Sequence, residues 1–184
     1  MAFKNYIILF CLSLATTAAI AGPSPQYDLI DAIEKQEILE IKELLDKGVS
    51  PNTRRKSNGI PAMIFASDTG NIAIMRLMLE AGGRVDITTK DRGETPLMRA
   101  AIKRDIAFIQ LLLEHNPDID KSDIGQETAL MKAVRARNYR VAKILLDKGA
   151  NADVQDLTGK SALDYAQLRR SKRMIKLLEE HGAR

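Results

Sequence analysis

Three short stretches of the sequence contain residue types that could do chemistry. The first, Gly159-Lys160-Ser161, has the ending of a phosphate-binding loop. Such a loop needs another glycine five residues before Gly159, to let the backbone approach the phosphates, and Val154 stands there. We therefore interpret Gly159 to Ser161 as a turn followed by a helix start, and expect no nucleotide site.

The second stretch has three closely spaced carboxylates, Asp118, Asp120 and Asp123, which suggest a calcium-binding loop. A loop of that kind requires glycine at its sixth position and a closing glutamate at its twelfth. Asp123 and Ala129 occupy those positions, so the pattern does not predict a calcium site.

The third candidate is the pair of histidines, His115 and His181. Together with Lys148 they occupy the last turns of three predicted helices, where a cation offsets the helix dipole. No serine is placed to pair with a histidine and an acid, and no carboxylate pair falls in a predictable cleft. The sequence therefore predicts no enzyme, no metal site and no cofactor.

The N-terminal residues have the pattern of a secretory signal peptide. Lys4 supplies a positive start, an apolar run follows over 6–18, and Ala19-Ile20-Ala21 offers a cleavage site. The alternative is an uncleaved membrane anchor, but the run 6–21 is shorter than the ~20 residues that cross a bilayer. We predict a signal peptide over 1–21, cleaved after Ala21, and a linker over 22–26.

Cleavage would leave a mature chain without cysteine, because Cys11 is the single cysteine. Disulfides, zinc–thiolate sites and cysteine nucleophiles are then excluded, which suits an oxidising compartment. Without Lys4 the chain has 27 basic and 24 acidic residues, a balance that implies neither nucleic acid nor membrane binding. We expect a periplasmic or secreted bacterial protein with no membrane insertion after cleavage.

The rest of the chain repeats itself at a period of 33 residues. This period relates Leu97, Leu130 and Leu163, and also the alanines three residues after each of them. A second series ends each unit with paired apolar residues before a helix stop: Leu44-Leu45, Met78-Leu79, Leu112-Leu113 and Leu145-Leu146. In the last unit Leu178 stands at the first of these two positions and is followed by Glu179. Two patterns with one period indicate stacked structural repeats.

Each repeat has the signals of two short helices. Thr95, Thr128 and Ser161 are good N-cap residues, and Pro96 occupies a first helical position, which tolerates proline. Turns are expected near 70–71, 104–105 and 137–138. The second helices should end at residues that accept a left-handed backbone, namely Gly48, Gly82, Asn116 and Gly149. One such helix pair cannot bury its apolar face alone, so neighbouring pairs must share a seam.

Several features resemble ankyrin repeats: the 33-residue period, Thr-Pro-Leu-Met at 95–98, Ala-Ala at 100–101 and Leu-Leu-x-x-Gly-Ala at 145–150. The histidine typical of the family is absent. The resemblance covers 27–184 and implies an all-α solenoid. It implies about five helix-turn-helix units joined by β-hairpin-like fingers, near 27–54, 55–89, 90–121, 122–155 and 156–184. It also implies that the chain binds another protein.

The resemblance further implies that the fingers and short helices form the binding surface. Equivalent positions bring Arg99 beside Lys132, and Arg104, Arg137 and Arg170 into one row, which predicts a basic ladder bordered by acidic fingers. The alternative is a solvated, charged surface with no partner. The predicted partner-binding residues are Lys90, Asp91, Arg92, Arg99, Lys103, Lys121, Asp123, Ile124, Lys132, Arg135, Arg137, Gln155, Asp156, Leu157 and Arg169.

These observations predict a non-catalytic interaction module in the bacterial periplasm. We expect a monomer when free, which regulates or inhibits a protein of the cell envelope such as a peptidoglycan hydrolase. Basic residues without interleaved aromatics do not favour single-stranded nucleic acid. Two alternatives remain at this point: an accessory factor in oxidative defence that supports a catalase, and a secreted effector that binds host proteins.

Overall fold

The computed structural model of the protein describes residues 25–183 and contains ten α-helices in that range. No strand occurs among these residues, and only two isolated antiparallel bridges do, in the loops before α3 and α7. The helices are α1 Pro25–Lys35, α2 Ile38–Asp46, α3 Ala62–Thr69, α4 Ile72–Glu80, α5 Pro96–Ile102, α6 Ile106–Glu114, α7 Ala129–Arg135, α8 Tyr139–Asp147, α9 Ala162–Leu168 and α10 Lys172–Glu180.

Consecutive helices pair, and the pairs stack in chain order. We number the pairs repeats 1 to 5. Odd-numbered helices, which we call inner, contact the inner helices of the neighbouring repeats, and the even-numbered outer helices do the same. The all-α solenoid is therefore confirmed. The predicted signal peptide and residues 22–24 lie outside the described residues, and α1 already begins at Pro25, within the expected linker.

The inner helices of repeats 3 to 5 begin at the predicted caps. The hydroxyl of Thr95 accepts a hydrogen bond from the Met98 amide at 3.2 Å, and Thr128 does the same for Met131 at 3.3 Å. Each bond satisfies one of the amides that a helix start leaves unpaired. Ser161 caps α9 in the same way and also bonds to Asp164.

The outer helices end as the sequence indicated. Gly48, Gly82 and Gly149 have φ values of 86°, 87° and 89°, and Asn116 has 49°. This left-handed residue lets the following amide turn back onto the helix; the Ala150 amide, for example, bonds to the Leu145 carbonyl at 2.9 Å. The chain leaves each helix at a fixed angle toward the next finger.

The shared seam runs through the inner helices. Leu97 and Leu130 are each 1% exposed, whereas Leu163, in the last repeat, is 8% exposed. Burial of one such side chain contributes ~1.5–3 kcal/mol. Because each leucine is covered by helices of adjacent repeats, the stability of one repeat depends on its neighbours.

A ladder of polar side chains also joins repeats 1 to 4. The side chains of Asn52, Asp86 and Asp120 accept hydrogen bonds from the amides of Arg84, Asp118 and Asn151, respectively. The bonds measure 2.7, 3.1 and 2.8 Å. These loop amides precede the fingers, so the ladder holds successive fingers in register.

Candidate functional site

The inner helices and fingers of repeats 3 to 5 enclose a shallow groove of about 350 Å³. A finger here is the loop before an inner helix, namely 89–94, 123–127 and 156–160 for α5, α7 and α9. The groove is lined by Arg92, Glu94, Ile102, Glu127, Lys132, Arg135, Ala136 and Arg169. Four of the predicted partner-binding residues, Arg92, Lys132, Arg135 and Arg169, therefore meet in one place.

Backbone hydrogen bonds join the three fingers side by side. The Ile124 amide donates to the Arg92 carbonyl at 2.9 Å, and the Leu157 amide donates to the Gly125 carbonyl at 3.0 Å. The side chains of Ile124 and Leu157 are nonetheless 66% exposed. The finger row is thus a fixed platform that presents two aliphatic residues to solvent.

A buried ion cluster underlies the platform. The Lys132 ammonium lies 2.7 Å from Asp123, 3.2 Å from Glu127 and 3.3 Å from Glu94. The side chains of Lys132, Asp123 and Glu94 are all less than a tenth exposed. Asp123 also accepts the amides of Gly125 and Glu127 at 2.9 Å. One lysine therefore connects the finger of repeat 4 to Glu94 at the start of repeat 3.

Two further predicted residues neutralise the same acids. The Arg99 Nε lies 3.2 Å from a Glu94 carboxylate oxygen, and Arg135 pairs with Glu127. The Arg135 guanidinium also lies 5.2 Å from the centre of the Tyr165 ring, a cation–π contact. The predicted ladder is thus a mixed row in which acids separate the basic residues.

Asp156 organises the last finger from inside. Its carboxylate accepts the amides of Thr158 and Lys160 at 2.8 and 3.0 Å and the Tyr165 hydroxyl. Burial acts to raise the pKa of Asp156, but the hydrogen bonds from Tyr165, Thr158 and Lys160 outweigh it and hold the pKa well below its usual range. The hydrogen bond that the Tyr165 hydroxyl donates to Asp156 raises the pKa of Tyr165.

The structure corrects the expectation of a free basic ladder with an acidic rim. Lys132 and Asp156 are buried, and the Asp123 carboxylate is 8% exposed. Lys103 is half-buried and donates to the Ser67 carbonyl at 2.9 Å, closing the end of α3. Arg99 and Lys121 are also half-buried. The other predicted residues are exposed: Lys90, Asp91, Arg92, Ile124, Arg135, Arg137, Gln155, Leu157 and Arg169.

The stretches considered first for chemistry have structural partners. Lys160 donates to the Thr158 hydroxyl, and Asp120 belongs to the inter-repeat ladder. His181 follows α10, with Nδ1 2.8 Å from the Leu177 carbonyl. Within residues 25–183 no group of three or more His, Cys, Asp or Glu side chains could hold a metal ion. No helix in that range is both long and apolar enough to cross a membrane.

Sequence reasoning missed the acids that neutralise the groove. Glu94 and Glu127 stand at equivalent positions 33 residues apart, directly before the capping residues Thr95 and Thr128. That recurrence was a usable signal, because a repeated acid beside a repeated basic position favours ion pairs between repeats. The N-cap roles of Asn71 and Asp105 were also missed; their side chains accept amides at the start of α4 and α6.

Comparison with known proteins agrees with this architecture. A family model described as ankyrin repeats (3 copies) matches residues 29–123, and one described as ankyrin repeats (many copies) matches 112–166. An ankyrin repeat and KH domain-containing protein of Caenorhabditis briggsae is 28% identical over 108 residues. The match covers 57% of this chain but 4% of that protein, so the chain spans a small part of its relative.

Repeats of this kind generally serve as non-catalytic modules that bind other proteins. The family match over more than half of the chain agrees with the five stacked helix pairs. The chain therefore belongs to the ankyrin repeat family.

Proposed function

We propose that the protein is an exported bacterial interaction module whose groove and fingers hold one protein of the cell envelope. Binding would regulate or inhibit that protein, for which a peptidoglycan hydrolase is the proposed example. The proposal of export is supported by the signal-peptide pattern of 1–21. The chain itself would carry out no catalysis.

One observation carries the choice of surface: Ile124 and Leu157 are exposed side by side on fingers that hydrogen bonds hold in place. Preorganised apolar residues bind at low entropic cost. Arg92 and Arg169 line the groove, and neither guanidinium forms a salt bridge with a carboxylate of the described residues. They can therefore pair with acids on a partner and orient it.

The outer helices offer a poorer surface. Some of the basic residues in their later turns pair with acids one turn on in the same helix, as Lys143 does with Asp147 at 2.7 Å and Lys176 with Glu180 at 3.7 Å. Those charges are already balanced and lie in solvent. The groove side of the stack is thus the better candidate for a specific contact.

The test is retention of one partner on the immobilised protein, with a fingertip variant. Periplasmic extract of the encoding organism is passed over the wild type, over Ile124→Asp/Leu157→Asp, and over Leu39→Asp. Leu39 is the matched control, because it is 80% exposed on α2, far along the stack. The wild type and the control should retain the same protein, and the fingertip variant should lose it.

The identity and activity of the retained protein decide the finer claim. Inhibition of a purified envelope hydrolase by the wild type alone supports the proposal. Retention of a catalase favours the oxidative-defence alternative instead. Equal retention by the fingertip variant and the wild type would show that the fingers are the wrong surface.

A further inference from the structure

The turns between inner and outer helices form a second charged surface, separate from the fingers. Each inner helix starts beside its finger and ends at the turn, so about 10 Å of helix separates the two. In repeats 3 to 5 these turns and the first residues of the outer helices form what we call the basic edge. Its exposed members are Arg104, Arg137, Arg140, Arg170, Lys172 and Arg173.

Acidic residues are nearly absent from this edge. The sequence contains no Asp or Glu over 132–146 or over 165–178. Asp105 is the carboxylate within the turns of repeats 3 to 5, and it caps α6 by accepting the Phe108 amide at 3.1 Å. No ion pair in residues 25–183 joins a member of the basic edge to a carboxylate.

The edge is confined to one half of the stack. The position of Arg104, Arg137 and Arg170 is occupied by Gln36 in repeat 1 and by Gly70 in repeat 2. All of these residues except Arg104 have positive φ. The fold therefore requires a turn at this position but no particular side chain. Three arginines there are consequently not required by the fold.

The spacing of the three arginines selects a shape of ligand. Packed helices lie about 8–10 Å apart, so Arg104, Arg137 and Arg170 form a row with that period. Adjacent turns are within reach of one side chain, since Arg137 donates to the Arg169 carbonyl at 3.5 Å. Side chains at i and i+7 on an α-helix are about 10.5 Å apart on one face. Side chains on one face of a β-strand are ~6.6 Å apart, a spacing that does not match the row of arginines.

Two aliphatic residues lie next to the row. Ile102 and Leu168 are 51% and 64% exposed, and each stands two residues before an arginine of the row. Ile102 also lines the groove, so the basic edge adjoins the groove at this residue. A phosphate backbone would make no apolar contact with these two side chains, whereas the apolar stripe of an amphipathic helix would cover them. The combination favours a protein helix over a nucleic acid or a lipid headgroup.

We propose that the basic edge binds an acidic amphipathic α-helix of a partner protein. Carboxylates at i, i+7 and i+14 of that helix face Arg104, Arg137 and Arg170, and its apolar stripe covers Ile102 and Leu168. The inference rests on the proposed function in taking a protein as the ligand. It adds a second contact surface and names the chemistry of the segment that binds there.

The experiment measures binding of two labelled peptides by fluorescence anisotropy. Both are alanine-rich helices of about 22 residues, long enough to be helical alone, with the same three glutamates and leucines. In one peptide the glutamates stand at i, i+7 and i+14; in the other they are distributed around the helix. The row variant is Arg104→Gln/Arg137→Gln/Arg170→Gln, and the control Arg76→Gln/Lys143→Gln/Lys176→Gln removes the same charge from outer helices.

The purified wild-type protein should prefer the heptad-spaced peptide, and the row variant should lose about tenfold or more in affinity, since three charge pairs disappear. The control should bind as the wild type does, and added salt should weaken binding. Equal binding of both peptides, or unchanged binding by the row variant, would overturn the inference. So would tighter, row-dependent binding of phosphatidylglycerol vesicles or duplex DNA.

The fingertip variant keeps this test separate from the proposed function. It should bind the heptad-spaced peptide as the wild type does, because its substitutions lie at the other end of the inner helices. If the peptide fails to bind while the fingertip variant loses the envelope partner, the edge inference is wrong and the proposed function stands. If the peptide binds but the fingertip variant still retains the envelope partner, the edge inference stands and the proposed role of the fingers is wrong.

Discussion

The ammonium nitrogen of Lys132 lies 2.7 Å from a carboxylate oxygen of Asp123, and both side chains are less than a tenth exposed. Lys132 is on the inner helix α7 and Asp123 is in the finger that precedes it. The same ammonium reaches Glu94 of the previous repeat at 3.3 Å. A buried lysine thus sets the angle between finger and helix at the centre of the groove.

Replacing Lys132 by alanine should destabilise the protein by about 3–5 kcal/mol, because buried carboxylates would lose their counter-charge. Chemical denaturation followed by circular dichroism at neutral pH measures this loss. Lys143→Ala is the control, because Lys143 is half exposed and pairs with Asp147 on the outer helix. The control should have almost the same midpoint as the wild type. Equal midpoints for the two variants would mean that the cluster contributes nothing to stability.

Replacing Asp156 by asparagine should destabilise the last finger by about 1.5–3 kcal/mol at neutral pH, the range for hydrogen bonds to a charged group. The carboxylate accepts amides of Thr158 and Lys160 and the Tyr165 hydroxyl. Tyr165→Phe removes one of these donors and should therefore cost less. Urea midpoints of the three proteins give the order, and a larger loss for Tyr165→Phe would contradict the assigned role.

The contribution of Asp156 should also depend on pH. Its pKa is lowered in the folded state, so the carboxylate stabilises the fold fully above the unfolded-state pKa of about 3.9. As pH falls below this value the contribution declines. The midpoint difference between wild type and Asp156→Asn should therefore be largest at pH 5–7 and shrink toward pH 2–3. A difference that grows on acidification would show that folding does not lower the pKa of Asp156.

Truncating the seam should be costly. Leu130 is 1% exposed, and its replacement by alanine should lose about 2–5 kcal/mol of the free energy of unfolding. Leu39→Ala, on an exposed position, should change it by less than about 0.5 kcal/mol. Thermal and urea unfolding both report the difference. Similar melting of both variants would mean that the repeats share no seam.

Gly83 should not accept a side chain. A Cβ built there would lie 2.5 Å from the Met63 sulfur and 2.5 Å from the Met78 carbonyl oxygen. Gly83→Ala should therefore destabilise the protein by about 1–3 kcal/mol through overpacking. Ala150 occupies the equivalent position of repeat 4 and is 8% exposed, so a Cβ is accommodated there. An unchanged denaturation midpoint for Gly83→Ala would mean that the Met63 side chain and the Met78 carbonyl shift without a loss of stability.

Much of the fold could be predicted, because its signals are local or periodic. The caps at Thr95, Thr128 and Ser161 need only three residues of chain, and the left-handed residues such as Gly149 need only their own backbone. The leucine seam follows from a period of 33 residues. The candidate site was predicted less well, because its residues were chosen by charge and by position within a repeat.

Whether a charged residue is free depends on partners that are distant in sequence. Lys132 and Glu94 are 38 residues apart, and the pattern predicts neither their contact nor their burial. Asp156 belongs to an expected acidic rim, yet the finger turns its carboxylate inward, where backbone amides and Tyr165 surround it. The arginines of the basic edge, in contrast, form no salt bridge among the described residues, because Asp105, the acid in those turns, caps α6.

By itself the sequence determined the repeat architecture, since short helices with caps and a 33-residue apolar period have one compact solution, a stack. Only the tertiary structure decided which charged side chains are buried in ion pairs and which stay exposed. Ion pairs form between side chains of different repeats, and their geometry depends on how the helices and fingers pack. That packing buries Lys132 and leaves Ile124, Leu157 and Arg92 exposed on the groove side.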